Sequence, residues 1–125
     1  MREFLDEMGV DYTYTVNDGP RASLWAEERE RYGFDSRETW SLDSSMRFLL
    51  YERLCLFVKN AESVVDLTAS KIEWDGKTYS QREMINMILD DLRTVFADEY
   101  EEIVSDDFKK NIWLKWAEIE NYMWW

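Results

Sequence analysis

Between Leu42 and Val58, apolar residues recur at steps of three and four: Leu42, Met46, Leu49, Leu50, Leu54, Phe57 and Val58. At 3.6 residues per turn this spacing gathers them on one face, so the pattern predicts a helix over 42–59. Ser44, Arg47, Glu52 and Lys59 fall largely on the other side. A helix with one apolar face has to bury it against another element, and the rest of the chain must supply that element.

Two more helices are predicted by caps and periodicity together. Ser80-Gln81-Arg82-Glu83 has the form of a capping box, with Ser80 as cap, Glu83 reaching back, and Tyr79 and Met84 placed as a hydrophobic staple. Met84, Ile85, Ile88, Leu92, Val95 and Phe96 then share a face, giving a helix over 81–97. Ser105 offers a second cap, with Asp106 and Asp107 in the first turn, where the helix dipole favours them. Phe108, Ile112, Trp116, Ile119 and Met123 run along one side of a helix over 106–123.

Shorter elements complete the reading. Residues 21–32 give a short helix with Leu24 and Trp25 on its apolar edge, and Gly33 stops it. Asp35, Ser36 and Ser41 are candidate caps on the way into the helix over 42–59. Lys71 to Trp74 and Lys77 to Tyr79 flank Asp75-Gly76, a strong hairpin signal because both turn positions tolerate positive φ. A hairpin this small needs a helix or a third strand, and Tyr12 to Val16 alternates like one. Residues 1–20 are expected to be either that strand or a mobile lead-in. The fold class is therefore mainly α (α+β): three main helices with a small antiparallel β-hairpin or three-stranded sheet. At 125 residues, one domain is expected.

Charge and composition remove several function classes. Against 27 acids stand 15 bases and no His, a net charge of −12. Direct nucleic-acid binding is excluded as an expectation, because it needs cations to neutralise phosphates. Without His, neither a Ser-His-Asp triad nor a Cys–His pair can form. None of the four glycines stands in a phosphate-cradling arrangement. The expectation is no enzyme, no catalytic residue, no cofactor and no metal. No apolar stretch reaches membrane-spanning length, and acids stand where a signal peptide would be basic and then apolar. The single cysteine, Cys55, sits between Leu54 and Leu56 as a small hydrophobe and fits a reducing cytoplasm.

The negative charge is localised. Asp90, Asp91, Asp98, Glu99, Glu101, Glu102, Asp106 and Asp107 face one base, Arg93, and contribute −7 of the −12. Their plainest reading is a solvated surface with helix-start acids. The functional reading is a carboxylate array that imitates a phosphate backbone, since duplex DNA carries one charge per about 1.7 Å of axis. A metal site is the third reading: Glu99 with Glu102, or Glu102 with Asp106, have helical spacing for a divalent cation. At the C-terminus Trp113, Trp124 and Trp125 extend beyond one apolar stripe. They serve either to close a small core or to anchor a protein partner.

The segment Tyr32 to Phe57, YGFDSRETWSLDSSMRFLLYERLCLF, resembles a recurring pattern in small, functionally unassigned proteins of tailed phages and prophages. The resemblance rests on Gly33, Asp35, Thr39-Trp40-Ser41-Leu42-Asp43, Leu50, Arg53, Leu54 and Phe57. Ser44-Ser45 stands where those relatives carry an aromatic residue and Thr. No catalytic assignment comes with it, but it implies a phage origin and a bacterial host cytoplasm. Small acidic phage proteins are often inhibitors of host defence, including anti-CRISPR proteins. The resemblance thus implies a non-enzymatic inhibitor that acts as a DNA mimic, its partner a host defence protein with a basic surface, such as a CRISPR nuclease. The alternative is a structural or regulatory phage interaction protein that forms homodimers or larger oligomers through its C-terminal aromatics. An all-α metal-dependent nucleotide hydrolase is the third expectation.

Overall fold

The computed structural model describes residues 3–8, 19–98 and 100–125. The predicted strand at Tyr12 to Val16 lies outside the described residues. Those described form α1 (Glu3–Asp6), α2 (Ala22–Tyr32), α3 (Leu42–Ala61), β1 (Ile72–Trp74), β2 (Lys77–Tyr79), α4 (Gln81–Ala97) and α5 (Asp106–Ile119). Short 3₁₀ turns lie at Gly19–Arg21, Ser36–Thr39 and Glu120–Tyr122. The fold is mainly α with a two-stranded antiparallel hairpin. The chain groups into two compact units, residues 1–52 and 53–125, and the continuous helix α3 runs from one into the other.

The first unit is organised around one acid. At the end of α2, Gly33 adopts φ 83°, and its N–H returns to the Arg29 carbonyl at 2.9 Å. A side chain with a Cβ is strained in that left-handed conformation, which is why glycine ends the helix. Asp35 then caps the 3₁₀ turn: its Oδ1 accepts the Arg37 N–H at 3.0 Å, and Glu38 reaches back to the Asp35 N–H at 3.3 Å. The same carboxylate takes Arg37 Nε at 3.0 Å and Nη2 at 2.9 Å, and it also pairs with Arg29. Arg37 and Asp35 are almost fully buried, and the guanidinium lies 4.4 Å from the centre of the Trp25 ring. Trp40 meets Trp25 edge-on at 5.8 Å. Gly33, Asp35 and Trp40 therefore have structural jobs within this unit.

In α3 the structure corrects the predicted apolar face. Leu50, Tyr51, Leu54, Val58 and Ala61 are buried, together with Arg47 and Glu52, both expected on the wet side. Leu42, Met46 and Leu49, expected in the core, stand exposed. Arg47 is held by Asp43 one turn earlier, at 3.1 Å, so its charge enters the interior with a partner. The helix has two apolar faces, and a periodicity argument merges them into one.

The second unit follows the sequence closely. The hairpin pairs Ile72 with Tyr79 and Trp74 with Lys77, turning through Asp75 at φ 49° and Gly76 at φ 74°. Two positive φ values are what a type I′ turn requires. Ser80 and Glu83 form the predicted capping box, each contact 3.1 Å. Below it, Met84, Ile85, Ile88, Leu89 and Leu92 of α4 are buried, as are Ile112 and Ile119 of α5. These two helices pack together; β1 lies against α5 and β2 against α4. The Gln81 amide ties the start of α4 to the end of the chain by donating to the Tyr122 carbonyl at 3.0 Å. Among the described residues, no helix is long and apolar enough to cross a membrane.

Candidate functional site

The acidic segment occupies the end of α4, the loop 98–105 and the first turn of α5, and its carboxylates have different tasks. Asp90 is exposed and paired with Arg93 at 2.8 Å, so its charge is locally answered. Asp91 is half-buried and binds Lys115 of α5; the same ammonium lies 5.8 Å from the Trp74 ring of β1. This carboxylate is therefore a tie between α4, α5 and the hairpin. It is shared with a cation rather than offered to a partner.

Asp98 builds the loop. After the last turn of α4, its carboxylate accepts the N–H of Glu102 at 3.1 Å, of Ile103 at 3.2 Å and of Val104 at 2.9 Å. These donations, that of Val104 first, with the charge of Lys109 adding to them, hold its pKa below the ordinary aspartate value. Three amides gathered on one anion bend the backbone into a closed turn. Glu101 consequently sits at φ 54°, the left-handed region that a residue with a Cβ enters only when its surroundings compel it.

The turn displays what it does not use. Glu101 and Glu102 are exposed, and so are Asp106 and Asp107 on the first turn of α5, behind the Ser105 cap. In the same segment stand Tyr100 and Ile103, 80% and 87% exposed, the most exposed large apolar side chains among the described residues. Sequence reasoning missed this pair because it followed the acids. The available signal was two large apolar residues alone in a charged stretch without helical periodicity. Glu99 lies outside the described residues.

The C-terminal aromatics divide. Trp113 is half-buried on α5, whereas Trp124 and Trp125 are 69% and 58% exposed. The predicted helix ends at Ile119, and a 3₁₀ turn over Glu120–Tyr122 carries the last residues away from the helical path.

Other constellations have weaker chemistry. Among the described residues, no three Cys, Asp or Glu side chains are grouped to hold a metal ion. A shallow cleft of about 550 Å³ is lined by residues 62–68 and Arg82. Arg82 pairs through Nη2 with Glu62 at 3.1 Å while its Nη1 is buried without a hydrogen-bond partner, and Asp66 accepts the Thr68 hydroxyl and N–H. Those two donors, the hydroxyl first, lower the pKa of Asp66. Comparison with family models, curated proteins and solved structures gives no match to this chain.

Proposed function

We propose that this chain is a non-catalytic, acidic binding protein that occupies a basic, nucleic-acid-binding surface of another protein, as an inhibitor of a host defence effector such as a CRISPR nuclease would. The observation that carries the reading is the loop 98–105 with the helix start behind it. Glu101, Glu102, Asp106 and Asp107 are exposed in the same short segment as the exposed Tyr100 and Ile103, and Asp98 braces the turn that leads into it.

Each part has a physical role in such binding. Carboxylates on one short segment attract a cationic surface over a Debye length, about 8 Å at physiological salt, and accelerate encounter. Exposed tyrosine and isoleucine offer apolar contact once water is displaced, at a site where charge alone contributes little net affinity. The brace at Asp98 lowers the ordering cost on binding, because the loop is already held. Trp124 and Trp125 offer a second apolar contact at the chain end. Asp91 and Asp98 act from behind this surface through what they hold in place.

The test is competition with duplex DNA for a purified guide-loaded CRISPR nuclease, at two salt concentrations. Binding should weaken as salt rises. Glu101→Gln, Glu102→Gln, Asp106→Asn and Asp107→Asn together should reduce affinity at least tenfold. Affinity that ignores salt, or that survives the four substitutions, refutes the electrostatic reading.

A further inference from the structure

Residues 62–68 leave the end of α3 and return to the start of α4, where the Leu67 carbonyl accepts the Arg82 N–H at 2.9 Å. That bond sets Arg82 against the loop, and together they line the cleft of about 550 Å³, which lies wholly within the second unit. Small-molecule sites occupy about 300–1,000 Å³, so the size is suitable.

Arg82 leaves a donor unused there. A guanidinium presents its N–H groups as a planar fork that matches both oxygens of a carboxylate at once. Here only one side of the fork is engaged: Nη2 meets Glu62 at 3.1 Å, while Nη1 is buried without a partner. A buried donor in that condition is costly, and its partner in a folded protein is ordinarily found. The Glu62 side chain is 52% exposed, and an ion pair so open to water contributes little. A ligand carboxylate that takes both nitrogens, as the guanidinium releases Glu62 and turns outward, gains the bond that Glu62 does not make.

The other charges say what else the ligand carries. Asp66 holds the Thr68 hydroxyl and N–H with Oδ1 alone, so its Oδ2 remains open to a donor. Glu62, Asp66 and Arg82 leave the cleft with an excess of one negative charge, on a chain of charge −12, and a simple anion is repelled. A zwitterion carries its own compensation: its carboxylate suits Arg82 and its ammonium suits Asp66 and the released Glu62. Val64, Val65 and Leu67 add an apolar wall. We propose that this cleft binds a free α-amino acid with an apolar side chain. The site is separate from the acidic loop and does not depend on the function proposed above.

The experiment titrates L-leucine into the isotope-labelled full chain at neutral pH and follows the amide signals of residues 62–68 and 82. Saturating shifts centred on these residues are expected, with a dissociation constant on the order of 0.1–1 mM for so small a ligand. 4-Methylpentanoate, which lacks the ammonium, and L-leucinamide, which lacks the carboxylate, should each bind roughly tenfold more weakly. Arg82→Gln should also cost roughly tenfold, with helical circular dichroism unchanged. If that variant unfolds the chain, Arg82→Lys keeps the charge without the fork and is read the same way. Asp66→Asn, which retains an acceptor for Thr68, should weaken leucine but not 4-methylpentanoate. No saturable shift up to ~20 mM leucine, shifts centred elsewhere, affinity indifferent to Arg82, or 4-methylpentanoate binding as well as leucine overturns the proposal. None of these outcomes bears on competition with DNA, so the two readings fail separately.

Discussion

Replacing Asp35 with alanine is the sharpest test of how the first unit is held together. The substitution removes a helix-cap acceptor and, in the same step, the bidentate partner of Arg37, a side chain only 1% exposed. Loss of a cap costs about 1 kcal/mol. Removing one member of a buried ion pair costs about 3–5 kcal/mol, because the remaining charge has been taken out of water. Here the Arg37 guanidinium keeps its contact with the Trp25 ring, 4.4 Å from the ring centre, after the carboxylate is removed, so the lower end applies. The expected total is about 3–4 kcal/mol, equivalent to a fall in melting temperature of roughly 10–15 °C for a chain of this length. Urea denaturation followed by circular dichroism measures it. A double-mutant cycle with Arg37→Met isolates the pair, and the double variant should recover at least ~2 kcal/mol relative to the sum of the singles. The acid limb provides an independent check. The Arg37 guanidinium, followed by its backbone N–H and by Arg29, holds the Asp35 carboxyl below its usual pKa, against the opposing effect of burial. A depressed folded pKa means that the stabilisation is complete above the unfolded value of about 3.9 and is lost as pH falls through the folded one. Asp35→Asn should flatten the stability profile in that window. A cost below ~1 kcal/mol for Asp35→Ala, or additive single substitutions, would show that the pair is not what closes the unit.

Three further outcomes are expected. Asp98→Ala should release the loop with little change in global melting temperature, giving new protease cleavage near Tyr100 and a slower association with any basic partner. An unchanged cleavage pattern would contradict the bracing role. Lys115→Met should cost about 1–2 kcal/mol by stranding the half-buried Asp91 carboxylate, read by urea denaturation; a neutral result would mean that the tie from α4 to α5 is redundant. Gly76→Ala places a Cβ at φ 74° in the hairpin turn and should destabilise by about 1 kcal/mol, although the space around the position is open.

The elements legible in the sequence are those whose information lies within a few residues. The Ser80–Glu83 box, the Ser105 cap, the Gly33 stop and the Asp75-Gly76 turn each depend on backbone groups one to four positions away, so residue type and spacing suffice. For the same reason the expected bounds of α4 coincide with the observed ones, and those of α3 differ by two residues at its end. The candidate site was only partly legible. Its acids could be counted, but Asp91 is committed by Lys115, twenty-four residues later, and Asp98 by amides that converge only because the chain closes a turn. Two equally charged residues in one segment thus differ in availability for reasons that no local spacing records.

Helix α3 shows the boundary most clearly. The sequence alone determined that 42–59 is helical and rich in apolar residues, because rise per turn and residue type decide that locally. Only the tertiary structure decided which face is buried. Leu42, Met46 and Leu49 compete with Leu50, Leu54 and Val58 for the interior, and the choice depends on which surface the rest of the chain can cover. Burial is a property of what stands opposite a residue, and spacing along one helix carries no information about that.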